Sequence, residues 1–395
     1  MKQLPIEAIL DKMTTAEKAN LCDGEGSWHT HGVERLGIPG AMMTDGPHGL
    51  RKRIQVNGEW TTVHSTCLPT ASALAASWNR EVAALAANTI AKEAVAESVS
   101  VVLGPGVNMK RSPLCGRNFE YFSEDPYFAG DFAAAYINAM QGNGVGSCIK
   151  HFAVNNQETR RFTVSANVAA RPLHEIYLRA FEIAIERAKP EAIMESYNRI
   201  NGKHAAESRW LLDDLLRKKW GFEGVVMSDW DAVNDRVASL EAGLDLEMPT
   251  SHGSGRDYIL SALASGRIDE VLLDRSARRV LALAVKQALL QRALRAVFQH
   301  ILQRTDGHIR PRRALRQQMQ GIFVHIHLLL LRVLCSKIEK SMIQYEKRRR
   351  CYAYGTDGPR DRGRLCRAGK RDRRHNGGRA GAAAGRHCRG HGADF

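Results

Sequence analysis

The 395-residue chain contains no long apolar run, and its first residues do not have the pattern of an export signal. Its N-terminus has neither an apolar region nor the cleavage signature of a secretory signal, so we expect a cytoplasmic protein. An apolar stretch at residues 322–334 has only 13 residues and contains His325, His327 and Arg332. Because a helical span needs ~20 apolar residues, we expect no membrane segment.

Cysteine is scarce, and its eight occurrences are scattered along the chain. No two cysteines have the Cys-x₂₋₄-Cys spacing of zinc modules. The C-terminal region contains residues of the types that bind zinc, but without this spacing we do not expect a zinc site there. They are Cys351, Cys366, His375, His387, Cys388 and His391. We expect the protein to need no metal and no organic cofactor.

Charge is distributed unevenly along the chain. Residues 291–395 contain 25 Lys and Arg against 7 Asp and Glu, a net charge of +18. Residues 1–290 contain 32 against 35, a net charge of −3, so the basic character comes entirely from the tail. Residues 352–395 are rich in Arg, Gly, Ala and His, which cannot form a buried core. We therefore divide the chain into a domain at 1–290 and an irregular basic tail at 291–395, disordered or non-native.

Two interpretations of the tail remain beside the zinc module. A shifted reading frame would produce this Arg-, Gly- and Ala-rich composition, with the break near residues 287–303, and we favour it. The basic runs at 347–350 and 369–374 suggest an arm that binds nucleic acid or another anion. That arm would lack interleaved aromatic residues and a recognisable binding fold, so we do not expect a nucleic-acid partner.

The stretch GVVMSDW at residues 224–230 is the most informative feature of the first domain. Its apolar run predicts a buried strand that ends at Asp229, with Trp230 beside it. A carboxylate next to an aromatic side chain is typical of a sugar-binding site. The alternative is that Asp229 caps the following helix.

The same arrangement recurs along the chain. Apolar strands are predicted to end at five further polar segments, and helices are predicted at 80–97, 127–140, 173–188 and 208–219. Alternating strands and helices over roughly 250 residues predict an α/β fold with a parallel sheet, of the (β/α)₈ TIM-barrel type. The polar strand ends would then converge on one rim. The polar segments begin at Asp45, Gly104, Lys150, Glu195 and Glu247.

Six ordered segments of residues 1–290 resemble the N-terminal domain of glycoside hydrolase family 3, the β-glucosidase group. They are MTDGPHGLR (43–51), GPGVNMKRSP (104–113), GRNFEYFSEDP (116–126), KHFAVNNQE (150–158), ESYN (195–198) and VMSDW (226–230). The resemblance implies a retaining β-glycosidase in which Asp229 is the catalytic nucleophile and forms a covalent glycosyl intermediate. It further implies substrate-binding roles for Asp45, Arg117, Lys150, His151, Tyr197 and Trp230.

Each of these assignments has a structural alternative. Lys150 and His151 could satisfy buried carbonyl groups at the end of a strand. Arg117 could pair with Glu120 or Glu124 as part of a loop scaffold, and Tyr197 could belong to the core. A different enzyme class is also open, a barrel lyase with Lys150 as a Schiff-base nucleophile. The alternative without catalysis is a sugar-binding or inactive truncated remnant.

Two departures from the family's patterns narrow the function. The β-N-acetylhexosaminidase branch carries Pro-Gly after Lys-His-Phe, whereas this chain has Ala153-Val154, which favours β-glucosides or β-xylosides as substrates. In the β-glucosidase branch, the resemblance implies that a glutamate of a following α/β sandwich domain serves as the acid/base. Residues 291–395 do not resemble that domain, so we expect impaired hydrolysis and name no acid/base residue.

Overall fold

The computed structural model describes the backbone of residues 6–304 and the side chains as far as residue 289. The predicted basic tail therefore lies almost entirely outside the described residues, and the predicted boundary at residue 290 stays a prediction. The final described helix runs from Glu270 to Arg304, across that position.

The described strands are mostly short. They are β1 (Gly24–Glu25), β2 (His29–Thr30), β3 (Met43–Asp45), β4 (Arg53–Val56), β5 (Glu59–Thr62), β6 (Val101–Leu103), β7 (Gly146–Phe152), β8 (Ser165–Ala166), β9 (Ala192–Glu195), β10 (Arg199–Ile200), β11 (Lys203–His204) and β12 (Val225–Met227). Five of them form a parallel sheet in the order β12-β9-β7-β6-β3. The order follows the chain, as expected for successive strand–helix–strand units.

Single bridges continue this sheet into a ring. Leu246 pairs in parallel with Met227 of β12, and the next residue, Glu247, pairs in parallel with Asp23. Asp23 precedes the β1–β2 hairpin, and His29 of that hairpin pairs with Met42 just before β3. The predicted α/β barrel is therefore present, but the described part of the ring contains an antiparallel hairpin. The strand predicted at 243–246 is reduced to its bridge at Leu246.

Helices separate the strands of the sheet. They are α1 (Ile6–Leu10), α2 (Thr15–Leu21), α3 (Ala71–Ala75), α4 (Arg80–Ala96), α5 (Pro126–Gly142), α6 (Ala170–Pro172), α7 (Arg179–Ala188), α8 (Arg236–Ala242), α9 (Ser254–Ala264) and α10 (Glu270–Arg304). Wider π-helical turns occupy Leu173–Tyr177 and Trp210–Lys219, within two of the helices that the sequence predicts. Within residues 6–304, none of the helices combines the length and hydropathy that crossing a bilayer demands.

Local sequence signals explain where several helices begin. Thr14 and Glu17 form a reciprocal capping box at the start of α2. The side chain of Asp125 caps α5, whose first residue is Pro126. These caps satisfy backbone N–H groups that have no partner inside the helix.

Alternate residues of the sheet contribute to two different apolar clusters. Val101, Met194 and Met227 pack in one cluster with α1, α2, α9 and α10, whereas Val102 and Val226 pack in the other with α4, α5 and α7. Since successive side chains of a strand point to opposite faces, both faces of the sheet are buried. Polar side chains are therefore concentrated at the strand ends.

Gly130 marks the closest approach of two of the covering helices. A Cβ atom at this position of α5 would lie 2.8 Å from the carbonyl oxygen of Ala180 in α7, whereas one at Gly142 of the same helix would meet nothing within 4 Å. We expect Gly130→Ala to destabilise the domain by about 1–3 kcal/mol through overpacking. Gly142→Ala should be neutral or stabilising by up to ~1 kcal/mol. Urea unfolding followed by circular dichroism measures both, and equal midpoints for the two variants would contradict the close helix contact.

Candidate active site

Polar side chains from separate strand ends meet at one rim of the sheet. Asp45 ends β3, Lys150 and His151 belong to β7, and Asp229 follows β12 by two residues. Arg117 arrives from the loop that follows β6, beside the 3₁₀ turn Asn118–Glu120. The structure thus brings together the residues that the sequence predicts as a site. The register of β7 with β9 is irregular between Ile149 and Phe152, which interrupts the usual alternation where Lys150 and His151 lie.

Asp229 lies at the centre of this cluster and is 6% exposed. The backbone N–H of Trp230 donates a hydrogen bond of 2.8 Å to its Oδ1. Within the described part of the chain its Oδ2 makes no hydrogen bond of ordinary geometry, although Arg117 Nη1 lies 3.8 Å away and His151 Nε2 3.6 Å away. One carboxylate oxygen is therefore anchored, and the other keeps its lone pairs available.

Two opposing effects set the ionisation of Asp229. Burial raises the pKa of its carboxyl group, and this effect is the larger. Arg117, Lys150, the Trp230 N–H and the Tyr197 hydroxyl each act to lower the same pKa, and the net result is a raised value. The cations thus offset part of the cost of burying this charge.

Lys150 bridges two carboxylates and is 4% exposed. Its Nζ lies 3.1 Å from Asp45 Oδ1 and 3.7 Å from Glu120 Oε2. Burial alone would lower the pKa of Lys150, but Asp45 and Glu120 raise it above the ordinary value. Burial would raise the pKa of Asp45, but Lys150 and then Arg51 lower it. The pair is therefore a lysine cation facing an aspartate anion.

Arg117 contacts both Glu120, which also faces Lys150, and the buried His151. It pairs with Glu120, as one structural alternative predicts, and its Nη2 also lies 2.6 Å from His151 Nε2. An arginine can only donate, so Nε2 accepts and the His151 proton resides on Nδ1, 3.1 Å from the Tyr121 hydroxyl. Burial, then Arg117 and Lys150, hold the pKa of His151 well below its usual range. The imidazole is neutral.

Aromatic side chains flank the cluster on two sides. Trp230 donates from Nε1 to the Ser27 carbonyl at 3.0 Å, and its ring lies 5.2 Å from that of Trp28. Tyr197 is buried, with the Arg161 guanidinium 4.2 Å from its ring centre. Burial, then the charge of Asp229, raises the pKa of Tyr197, which therefore stays protonated as a donor.

The sequence did not identify several residues that support the cluster. Glu120 and Tyr121 lie inside the matched segment 116–126. The sequence suggests that Glu120 pairs with Arg117, but only the fold shows that Glu120 also contacts Lys150 and that Tyr121 contacts His151. Glu195 follows a predicted strand and begins the matched segment 195–198 with no role assigned to it, yet its Oε1 accepts from the Asp229 backbone N–H at 3.2 Å. A carboxylate directly after a buried strand was the signal that could have found it. The suggestion that Asp229 caps the next helix is wrong, because Asp235 caps α8.

A cavity and the absence of a metal-binding cluster both bear on where the active site is placed. The cavity, of about 410 Å³, shares no lining residue with the Asp229 cluster, so we place the site by the chemistry of its side chains and not by the cavity. That cavity is lined by Lys203, Glu207, Arg209, Asp213, Ala238, Glu241, Ala242, Leu272 and Arg275. Across the described side chains, no group of three or more His, Cys, Asp or Glu residues is arranged to hold a metal ion.

Comparison with known proteins identifies the domain. Thermostable beta-glucosidase B of Acetivibrio thermocellus is 52% identical over 279 residues, which are 70% of this chain and 37% of that protein. Exo-alpha-(1->6)-L-arabinopyranosidase of Bifidobacterium breve is 51% identical over 278 residues, 69% of this chain and 36% of that protein. The chain thus spans little more than a third of the length of these relatives.

A solved structure shows the same architecture. Beta-glucosidase 3B from Thermotoga neapolitana, in complex with glucose, aligns with a TM-score of 0.69 and 40% identity, covering 71% of this chain and 42% of that one. The barrel-like α/β fold and the predicted family resemblance are both confirmed. The model of the glycosyl hydrolase family 3 N-terminal domain matches residues 27–283, and the chain therefore belongs to this family.

Proposed function

We propose that the described domain forms the sugar-binding and nucleophilic part of a retaining glycosidase that acts on β-glucosides. The observation that carries this proposal is the state of Asp229. Its carboxylate is buried and anchored through Oδ1, while Oδ2, beside Arg117 and His151, has no hydrogen-bond partner among the described residues. An anchored oxygen and a free one are what a carboxylate nucleophile needs.

In the proposed first step, Oδ2 of Asp229 bonds to the anomeric carbon while the bond from that carbon to the leaving oxygen breaks. The electron pair of the broken bond goes to the leaving oxygen, which departs as an anion or takes a proton from solvent. Water then attacks the same carbon and loses a proton to solvent, while the electron pair of the carbon–Oδ2 bond returns to the Asp229 carboxylate. The two inversions together retain the configuration. The ionised form of Asp229 is the reactive one, and Arg117 and Lys150 favour it.

The surrounding polar groups match the needs of a pyranose ring. Asp45 supplies carboxylate acceptors, Lys150 and Arg117 supply donors, and the neutral His151 can exchange its Arg117 contact for a sugar hydroxyl. Trp230, packed against Trp28, offers an aromatic wall. We propose that these residues bind the sugar whose anomeric carbon faces Asp229.

The names of the relatives indicate glucosides and arabinopyranosides as the sugar classes to consider. The Acetivibrio protein is named a beta-glucosidase and the Bifidobacterium protein an arabinopyranosidase, at nearly equal identity. The glucose bound in the Thermotoga structure supports a glucoside as the first substrate to test. A β-xyloside, which has the same ring hydroxyls without the hydroxymethyl group, would fit the same polar clamp.

The lyase alternative finds no support in the geometry of Lys150. A Schiff-base lysine needs a neutral amine, and burial without counterions lowers its pKa for that purpose. Here Asp45 and Glu120 outweigh burial and raise the pKa of Lys150. The ammonium form is thus stabilised as a cationic clamp.

We further propose that the described residues contain no general acid for the leaving group. Asp45 is engaged by Lys150, Glu120 by Lys150 and Arg117, and Glu195 is fully buried beneath the backbone of Asp229. None of these carboxyl groups is free to face a glycosidic oxygen. Catalysis by this chain alone would then depend strongly on the leaving group.

The nucleophile can be tested by covalent trapping. We expect 2,4-dinitrophenyl 2-deoxy-2-fluoro-β-D-glucoside to add one fluoroglucosyl group to the protein, at Asp229, because the electron-poor phenolate leaves without protonation. Intact-mass spectrometry and peptide mapping measure the adduct. Asp229→Asn should prevent it, whereas the matched Asp235→Asn change should not, since Asn caps α8 as well as Asp. An adduct on another residue, or none on folded protein, would refute the proposal.

The missing acid can be tested by varying the leaving group. We expect 2,4-dinitrophenyl β-D-glucoside to release a burst of one phenolate per site and then turn over slowly, because deglycosylation lacks a base. Azide needs no base and should accelerate the slow phase while forming the β-glucosyl azide. Alkyl β-glucosides should react at least ~100-fold more slowly. Hydrolysis of alkyl and dinitrophenyl glucosides at similar rates would show that an acid is present.

The pH dependence of adduct formation tests the role of Lys150. Because Asp229 reacts when ionised, the rate should rise as pH passes upward through its raised pKa. Lys150→Met removes a cation that lowers this pKa, so the rising limb of the pH–rate profile should move to higher pH. Lys52→Met is the control, since Lys52 pairs with Glu97 instead. A limb that stays in place in Lys150→Met would contradict the electrostatic role.

A further inference from the structure

Glu195 is a buried carboxyl group for which the proposed reaction has no chemical step. It is the last residue of β9, which lies next to β12. Met194, the residue before Glu195, pairs with Met227, the last residue of β12. The Glu195 side chain is completely buried, and its Oε1 accepts from the backbone N–H of Asp229 at 3.2 Å. Its Oε2 is also buried and has no hydrogen-bond partner in the described part of the chain. Glu195 therefore lies directly behind the proposed nucleophile, away from solvent.

Two carboxyl groups so close together compete for one proton. Asp229 has Arg117 3.8 Å away and receives the Trp230 N–H. Glu195 makes no ion pair with any described residue, and the charged groups that act on it, Asp229 and Glu207, are both acidic. Like charges in a site of low polarity cannot both ionise readily. The proton therefore belongs on Glu195.

The cost of burial favours the same assignment. An unpaired ionised carboxylate in an apolar interior costs far more than a neutral acid with one unsatisfied hydroxyl. Burial first, and the charge of Asp229 second, raise the pKa of Glu195 well above its usual range, against the lowering effect of the Asp229 N–H. Geometry and electrostatics thus agree on a neutral Glu195.

We propose that protonated Glu195 is a positioning residue for Asp229, holding the backbone of the nucleophile through its Oε1 without placing a second negative charge behind it. This inference rests on the proposed role of Asp229. An ionised Glu195 would repel the Asp229 carboxylate and favour its protonated, unreactive form. Because Glu195 is inaccessible to solvent, it does not act on the leaving oxygen itself.

Two substitutions separate the hydrogen bond from the charge. Glu195→Gln keeps a neutral carbonyl acceptor of the same shape, and Glu195→Met keeps the volume without the acceptor. With the fluoroglucoside trap, we expect Glu195→Gln to react within about threefold of the wild type with an unchanged pH limb. Glu195→Met should react about tenfold or more slowly, because the nucleophile is less well placed. Glucose affinity, measured by calorimetry, should change less than about twofold in both variants.

The proton itself can be observed without catalysis. The infrared difference spectrum of wild type minus Glu195→Gln at neutral pH should contain the carbonyl band of a protonated carboxylic acid. A carboxylate band instead, or a shift of the pH limb to lower values in Glu195→Gln, would show an ionised Glu195 and overturn the proposal. Glu93→Gln, which alters a partly buried carboxyl group bonded to Thr66, is the control for both measurements.

The outcomes for the two proposals are distinguishable. Normal labelling of the wild type together with undiminished labelling of Glu195→Met would refute the positioning role alone. Absence of an adduct in folded wild-type protein would refute the nucleophile, and the positioning role with it. If Glu195→Met does not fold, Glu195→Asp, whose shorter side chain cannot reach the Asp229 N–H, replaces it in the same comparison.

Discussion

The site depends on burying several carboxylates next to a small number of cations. Lys150 faces Asp45 and Glu120, and Arg117 faces Glu120 and Asp229. Each buried ion would be costly alone, and the loss of one partner would leave an uncompensated charge in the interior. Arg51 adds a third cation, 3.7 Å from Asp45, so these three carboxylates face three cations and there is no surplus positive charge. This balance explains why burial still raises the pKa of Asp229 and why a further acid, Glu195, has to remain neutral.

The fold supplies this concentration of charge because parallel strands end at one rim. The faces of the sheet are occupied by the two apolar clusters, which leaves the strand ends as places where polar groups converge. Residues more than a hundred positions apart, such as Asp45 and Lys150, thereby come within 3.1 Å of each other. The irregular register of β7 adds to this effect, since Lys150 and His151 are neighbours in sequence and both reach the cluster.

The sequence predicted the parts of the site that depend on local pattern. A strand followed by a polar residue revealed Asp45, Lys150 and Asp229, because strand periodicity and a sudden change in polarity are both local. The contact of Glu120 with Lys150 could not be predicted in the same way, since it joins a loop after β6 to a strand after α5. The prediction of a strand at 243–246 is wrong for a related reason. Gly243 ends α8 in a left-handed conformation, and Asp245 pairs with Arg217 and Arg279, two features that hydropathy does not reveal.

The last described helix, α10, packs against the strand that carries Glu195. Gln287 of α10 is buried and donates to Glu191 at 2.7 Å, and Lys286 pairs with the same carboxylate. Glu191 directly precedes β9, so these contacts tie α10 to the strand that ends at Glu195. The break in the reading frame that the sequence suggests near residues 287–303 stays a prediction. The residues that position Asp229 all precede residue 287, so the proposed nucleophilic chemistry depends only on side chains that the structure describes.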